Sequence, residues 1–380
     1  LLPALSLREQ VGMKLTLKLK KKNQLQKKQK FKHMIYSKLG HTDIEVSKIC
    51  LGTMTFGEQN TEVEAHDQLN YALENGVNFI DTAEMYPVPP NAKTQGLTEK
   101  YIGSWLKKYN KRQDVIIASK VTGPAPDFSY IRKSLKIDKK NIKAAIIKNL
   151  ERLNTDYIDL YQIHWPQRQT NYFGQLNYKY SKENANEVID NLNESYEALN
   201  NLVTSGKIRS IGLSNDTSWG AMKFLEISKE KSFSKIVTIQ NPYSLLNRSY
   251  EINMAEIAEM ENIKLLAYSP LGFGVLTGKY INNKPKDSRL SLWNRFNRYS
   301  NKNSKDSTLK YVELAKKYNI TPTQLALSFV NQQPFVTSNI IGATNLSQLS
   351  ENIKSIDLIL TDEIISEIES VHISQPNPAP

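Results

Sequence analysis

Four residues whose side chains can hold or move a proton stand at the ends of three successive apolar segments. Asp81 and Tyr86 lie in NFIDTAEMY. Lys120 lies in VIIASKV, and His164 lies in YIDLYQIHWP. Each segment is typical of a short buried strand whose last polar side chain projects past its carboxyl end. Because the carboxyl ends of parallel strands meet at one edge of a sheet, we expect the four side chains to converge.

A tyrosine, lysine, aspartate and histidine in one place suit the reduction of a carbonyl group. The carbonyl oxygen gains negative charge as a hydride arrives, so a positioned donor must supply a proton. Tyr86 is the candidate donor, and Lys120 is expected to lower its pKa from the ordinary phenol value of about 10. Asp81 would keep Lys120 charged, and His164 would orient the substrate oxygen or share the proton relay at low pH. Each residue alone also has a structural interpretation, so the prediction rests on their shared position.

A hydride donor needs a binding site, and the later apolar segments end in groups that suit one. Tyr268 offers an aromatic face on which a nicotinamide ring can stack. The polar side chains available to hydrogen-bond the nicotinamide carboxamide are Ser214, Asn215 and Gln240.

Phosphate groups have a candidate site after the last apolar segment. Gly342 and Thr344 open a helix there, and free N–H groups at a helix start bind phosphate. Lys279 and Arg289 would add positive charge for a pyrophosphate or a 2′-phosphate. The same glycine pattern is also an ordinary helix start, so both interpretations stay open. The side chains expected to contact adenosine are Gln348, Glu351 and Asn352.

Short apolar runs alternate with amphipathic stretches from Lys48 onward. Buried parallel strands need such crossovers, and eight repeats predict a closed (β/α)8 TIM barrel in a single domain, residues 34–380. A doubly wound open sheet is the rival, but the glycines of LGFGVLTGKY miss the GxGxxG spacing and come too late. The predicted strands are 48–54, 78–81, 115–121, 157–164, 208–215, 236–241, 264–270 and 339–344. The predicted helices are 61–75, 97–109, 138–153, 193–205, 218–229, 250–261, 307–318 and one from about 345.

The first predicted helix shows both a start signal and an apolar face. Thr61 and Glu64 have the spacing of a capping box. Val63, Leu69, Ala72 and Leu73 are expected to share the buried face.

The net charge of +12 over 380 residues comes mostly from one segment. Residues 1–33 hold ten lysines and arginines against one acid, which leaves +3 for the remainder. We expect a disordered basic extension at 1–33, with an organelle import segment as an alternative and nucleic-acid or anionic-lipid binding as a weaker one. The basic charge of 1–33 therefore says nothing about a nucleic-acid face on the remainder, and we expect no nucleic-acid partner.

Composition points to a cytoplasmic protein. The chain has no run of 18 apolar residues, so no membrane span is predicted. Cys50 is the single cysteine, which excludes an internal disulfide and suits a reducing compartment. We expect no metal site.

Several long motifs resemble those of the aldo-keto reductases, over residues 34–380. The resemblance implies a (β/α)8 barrel that binds NADPH in an extended pose without a Rossmann domain and reduces a small aldehyde or ketone. The motifs are LGTMTFGEQN (51–60), DTAEMYPVPP (81–90), TQGLTEKYIGSWL (94–106), IIASKV (116–121), TDYIDLYQIHWPQR (155–168), TIQNPYSLLNRS (238–249) and GFGVLTGKY (272–280).

The resemblance also implies roles for individual residues. Asp81, Tyr86, Lys120 and His164 match the catalytic tetrad, with Tyr86 as the acid. Many members carry an arginine where this chain has Gln348, so the preference for NADPH rests on other cations. The implied cofactor contacts are Thr53, Ser214, Asn215, Gln240, Tyr268, Ser269, Pro270, Leu271, Gly274, Lys279, Arg289, Gly342, Thr344, Gln348, Glu351 and Asn352.

An alternative function is a cofactor-bound accessory or redox-sensing protein. Potassium-channel β subunits share the implied fold but carry asparagine where this chain has His164, which favours the enzyme. Three polar loops, 122–138, 166–192 and 280–306, are expected to set the substrate shape. Aromatic residues that would line an apolar mouth are Trp165, Tyr172, Phe173 and Trp293.

Overall fold

Eight parallel strands close into a barrel in the computed structural model, which describes residues 34–180 and 182–380. The last barrel strand pairs with the first and with its predecessor, which closes the sheet. The predicted TIM barrel is thus confirmed, and the expectation for 1–33 lies outside the described residues. The strands are β1 (Tyr36–Lys38), β2 (Glu45–Ser47), β3 (Ile49–Gly52), β4 (Phe79–Asp81), β5 (Ile116–Val121), β6 (Ile158–Ile163), β7 (Ile208–Ser214), β8 (Thr238–Pro242), β9 (Leu265–Tyr268) and β10 (Val336–Ile341).

Helices surround the barrel because each crossover must return the chain to the same end of the sheet. Each predicted strand overlaps an observed barrel strand, from β3 to β10. The helices are α1 (Glu62–Glu74), α2 (Leu97–Tyr109), α3 (Lys139–Leu153), α4 (Ala185–Thr204), α5 (Ser218–Lys231), α6 (Met254–Met260), α7 (Arg289–Leu292), α8 (Lys302–Lys317), α9 (Pro322–Asn331), α10 (Leu346–Lys354) and α11 (Asp362–Ser374).

Helix caps explain where the helices begin. Thr61 and Glu64 form the predicted capping box of α1. Helix α4 begins well before the predicted 193 because Asn184 caps it, and α8 begins before 307 because Asn301 caps it. The expectation for Val63 is wrong: its side chain is 71% exposed, because the buried stripe of α1 runs instead through residues such as Ala65, Leu69 and Ala72.

An antiparallel hairpin, β1–β2, closes the amino-terminal end of the barrel and was not predicted. Its apolar residues Leu39, Ile44 and Val46 pack in one cluster with inward-facing strand residues such as Phe79 and Leu160. The short strands carry too few residues for a periodic signal. Helices α9 and α11 were also not predicted.

Among the described residues, no helix combines the length and the hydrophobicity that a membrane crossing requires.

Candidate active site

The carboxyl ends of β4, β5 and β6 position the four residues singled out as catalytic candidates. Asp81 ends β4, and Lys120 is the fifth residue of β5. His164 follows β6, and its N–H donates to the Val121 carbonyl at 3.0 Å. Tyr86 lies in the turn after β4. The structure therefore brings these four residues to the same rim of the barrel.

Lys120 is buried in a network of acceptors below Tyr86. Its Nζ donates to Asp81 Oδ2 at 2.7 Å and to the Thr82 carbonyl at 2.9 Å. The same Nζ lies 5.0 Å from the centroid of the Tyr86 ring. The Tyr86 and His164 rings meet edge to face, with centroids 5.8 Å apart.

The pKa of Tyr86 is not lowered in this arrangement. Burial and the negative charge of Asp81 raise the pKa of the Tyr86 phenol well above 10, while Arg289 acts in the opposite direction. The expectation of a lowered pKa is therefore wrong, because burial of the phenol and the negative charge of Asp81 outweigh the effect of the nearby cations. Tyr86 holds its proton at neutral pH.

His164 is neutral in this site. Burial and the charge of Lys120 lower the pKa of its imidazole well below 6.5. Asn215 Nδ2 donates to the His164 carbonyl at 2.9 Å, which holds the backbone of this residue. A role for His164 in a proton relay at low pH, which needs the imidazolium, therefore has no support from the electrostatics.

The polar side chains at the ends of β7, β8 and β9 bond to one another and to the Asp81 carboxylate. Tyr268 Oη donates to Asn215 Oδ1 at 2.7 Å. Gln240 Nε2 donates to Asp81 Oδ1 at 2.8 Å, and Ser214 Oγ donates to the Gln240 carbonyl at 3.0 Å. These contacts join the expected nicotinamide end of the site to the charged pair below Tyr86.

A cavity of about 980 Å³ opens above this network. It extends from Tyr86 and His164 to the start of α10. Every expected cofactor residue except Ser214 lines it, whereas Ser214 and Lys120 lie beneath its surface. The lining thus joins the catalytic candidates to the expected phosphate site in one continuous space.

The far end of the cavity fits an elongated ligand that carries anionic groups. A side chain added at Gly342 would meet no atom within 4 Å, so the backbone there faces open space. Asn345 caps the nine-residue helix α10 beside it. Lys279 and Arg289 line the same cavity, where Arg289 is close enough to Tyr86 to act on its pKa, and neither forms an ion pair with a carboxylate in the described part of the chain. Positive charge without a counterion favours a phosphate ligand.

All three expected adenosine contacts form hydrogen bonds within the protein instead, and Asn352 Nδ2 donates to the Gly342 backbone carbonyl at 3.1 Å. Gln348 Oε1 accepts from the Thr344 N–H at 3.0 Å and from its hydroxyl at 3.1 Å. Glu351 Oε1 accepts from Thr321 Oγ1 at 2.7 Å. All three side chains still line the cavity, but a ligand must share or displace these bonds.

Aromatic side chains form the other end of the cavity, beside Tyr86. Trp165, Tyr172 and Phe173 line it as expected, and Phe128 joins them. Trp293 does not line it and packs against a neighbouring ring of its own loop. The lining residues that sequence reasoning missed include Met54, Met85, Phe128, Arg295, Asn297 and Arg298. Four of these lie in the loops that the sequence predicts to shape the substrate site, and this loop position is the sequence feature that could have identified them.

The barrel and this rim site define a class of protein, and comparison with known sequences agrees. The chain belongs to the aldo/keto reductase family, whose profile matches residues 48–373. Members of this family are generally NAD(P)H-dependent oxidoreductases that act on small carbonyl compounds.

Three relatives illustrate the range of similar proteins. Protein tas of Escherichia coli (strain K12) is 50% identical over 91% of this chain and 100% of its own length. An aldo-keto reductase of Babesia bovis is 35% identical over 68% of this chain and 95% of its own length. A probable voltage-gated potassium channel subunit beta of Arabidopsis thaliana is 30% identical over 90% of this chain and 98% of its own length.

Proposed function

We propose that this protein reduces an aldehyde or ketone to an alcohol, with hydride from NADPH and a proton from Tyr86. The observation that supports this most is the buried Lys120–Asp81 pair, 2.7 Å apart, directly below the Tyr86 ring. A buried ion pair at a cavity floor is costly to maintain for stability alone, since apolar residues of similar volume do as well. Its position beneath a phenol is explained by proton transfer.

The cofactor would extend through the cavity from the start of α10 to Tyr268. Lys279, Arg289 and the start of α10 would bind its phosphates, and Tyr268 would stack on the nicotinamide. Bound NADPH supplies the hydride. The Gln240 side chain, fixed on Asp81 at 2.8 Å, would set the depth at which the ring rests.

The substrate carbonyl oxygen would lie in the cavity within reach of both Tyr86 and His164. Because the imidazole is neutral, one of its ring nitrogens can donate a hydrogen bond to the carbonyl oxygen. The aromatic side chains of Phe128, Trp165, Tyr172 and Phe173 form an aromatic wall at this end of the cavity. This wall excludes water from the developing charge, which strengthens the hydrogen bond to the carbonyl oxygen.

Tyr86 completes the reaction. As the new C–H bond forms, the carbonyl π electrons move to oxygen, and the Tyr86 O–H bond breaks to protonate it. The raised pKa of Tyr86 keeps the phenol protonated until the far more basic alkoxide develops. The Lys120 ammonium then stabilises the phenolate until it takes a proton from solvent.

The direct test is the loss of NADPH absorbance with a panel of aldehydes, ketones and dicarbonyls. We expect at least one substrate to support turnover that the Tyr86→Phe variant loses. Turnover of the best substrate by Tyr86→Phe within about threefold of the parent protein would contradict the proposal.

A second candidate is an accessory protein that binds NADPH without significant turnover. The similarity to a probable potassium channel subunit beta supports it. His164, which lies against Tyr86, favours the enzyme. A stable membrane partner in a pull-down, together with negligible turnover across the panel, would reverse this order.

A further inference from the structure

Glu84 is a buried carboxylate with no part in the reaction described above. It stands two residues before Tyr86 and is 1% exposed. Its Oε2 accepts the N–H of Thr122 at 3.0 Å, and its Oε1 forms an ion pair with Arg132. Thr122 stands two residues after Lys120. A single carboxylate therefore contacts the segment that follows Lys120 and the loop 122–138.

The backbone of Glu84 ties the same region together. Its N–H donates to the Lys120 carbonyl at 3.2 Å. Its carbonyl accepts from Gln95 Nε2 at 2.6 Å. Gly96 N–H donates to the Tyr86 carbonyl at 2.7 Å. The turn that carries Tyr86 is thus hydrogen-bonded both to β5 and to residues 95–96, and Glu84 makes most of these hydrogen bonds.

Arg132 connects this turn to the substrate end of the cavity. It belongs to loop 122–138, whose residues Pro124, Ala125 and Phe128 line the cavity. The Phe128 ring lies 6.3 Å from the Trp165 ring, centroid to centroid. The Arg132 side chain is 12% exposed, so its bond to Glu84 is shielded from water. Movement of Arg132 would therefore move the aromatic wall.

We propose that Glu84 and Arg132 form a positioning pair that holds the loop 122–138, and with it the Phe128 ring, at a set distance from Tyr86. The pair thereby selects the size of the carbonyl substrate. This inference rests on the proposed carbonyl reduction. Neither side chain lines the cavity, so the pair acts through the loop and not on the reacting atoms. Removal of one partner leaves the other charge buried without its ion pair, which makes the paired arrangement strongly preferred.

The test compares Arg132→Met with a control at the opposite end of the barrel. Arg112 pairs with Asp159 at 2.8 Å, near the start of β6. The two pairs are matched in burial, since the arginine side chains are 12% and 15% exposed and the carboxylates 2% and 1%. Arg112→Met therefore removes an ion pair of similar burial without touching the substrate loop, and Asp159 keeps its second arginine partner, Arg209, at 2.6 Å.

Two measurements decide the inference. KM is compared for benzaldehyde, which would contact the wall, and for propanal, which is too small to reach it. We expect Arg132→Met to raise KM for benzaldehyde about tenfold, with kcat and the propanal KM within about twofold. Amide hydrogen exchange of residues 122–138 should be faster in Arg132→Met and unchanged in Arg112→Met.

Equal changes in KM for both aldehydes, or unchanged exchange in 122–138, would overturn the inference. If Arg132→Met does not fold, the double variant Glu84→Gln/Arg132→Met removes both charges and should show the same exchange and KM pattern. If the parent protein reduces no carbonyl, the proposed function fails by itself. The exchange comparison still decides whether the pair holds the loop.

Discussion

The ammonium nitrogen of Lys120 lies 5.0 Å from the centre of the Tyr86 ring, while its shortest hydrogen bond, at 2.7 Å, goes to Asp81. In the resting site the carboxylate therefore balances the lysine charge, and the phenol keeps its proton. When the phenol loses that proton, the ammonium is already in place beside the new negative charge. Lys120 thus acts on the state after proton transfer more than on the state before it.

Replacement of the phenol hydroxyl tests the proton donor. We expect Tyr86→Phe to reduce kcat about 10²–10⁴-fold, the usual contribution of a positioned general acid. NADPH affinity, measured by quenching of protein fluorescence, should stay within about twofold. Tyr172→Phe is the matched control, because this tyrosine lines the same cavity from the loop 166–192, and its kcat should change little.

Removal of the buried ammonium tests the ion pair. Lys120→Met leaves Asp81 buried without a counter-charge, so the free energy of unfolding should fall by about 3–5 kcal/mol in guanidinium titrations. The double variant Lys120→Met/Asp81→Asn removes both charges and should recover most of this stability. It should remain inactive, since nothing then stabilises the phenolate. Equal instability of the single and double variants would show that the charge pair is not the cause.

The neutral His164 makes stability depend on pH. Its pKa is far below 6.5 in the folded chain, so only the unfolded chain binds a proton there as pH falls below about 6.5. The unfolded state is thereby favoured, and folding stability falls by at most about 1.4 kcal/mol per pH unit. Unfolding curves from pH 7.5 to 5 should show this loss in the parent protein and a smaller one in His164→Gln. The same pH dependence of stability in both proteins would show that His164 is not its cause.

Two of the cations that line the cavity, Lys279 and Arg289, should decide between NADPH and NADH. Hydrogen bonds to charged groups contribute about 1.5–3 kcal/mol, so Arg289→Ala should raise KM for NADPH roughly 10–100-fold. KM for NADH, which lacks the 2′-phosphate, should change much less. Lys284→Ala is the control, since this lysine is exposed on the same loop and does not line the cavity. A parent protein with a higher kcat/KM for NADH than for NADPH would refute the preference.

The barrel and the position of its catalytic candidates were predictable from the sequence because both depend on local periodicity. Buried strands are continuous apolar runs, and parallel strands separated by helices must end on the same rim. Asp81, Lys120 and His164 could therefore be placed together from their positions at strand ends. The hairpin β1–β2 carried no such signal, since each strand is three residues long.

Pairings between distant side chains, by contrast, were decided only by tertiary structure. Gln240 and Asp81 are 159 residues apart and meet because the sheet closes. Glu84 contacts Arg132 because the loop 122–138 folds back toward the turn after β4, and no spacing in the sequence predicts that contact. The raised pKa of Tyr86 likewise follows from burial and from the placement of Asp81. Desolvation and charge pairing depend on distances in three dimensions, which residue type and sequence spacing do not determine.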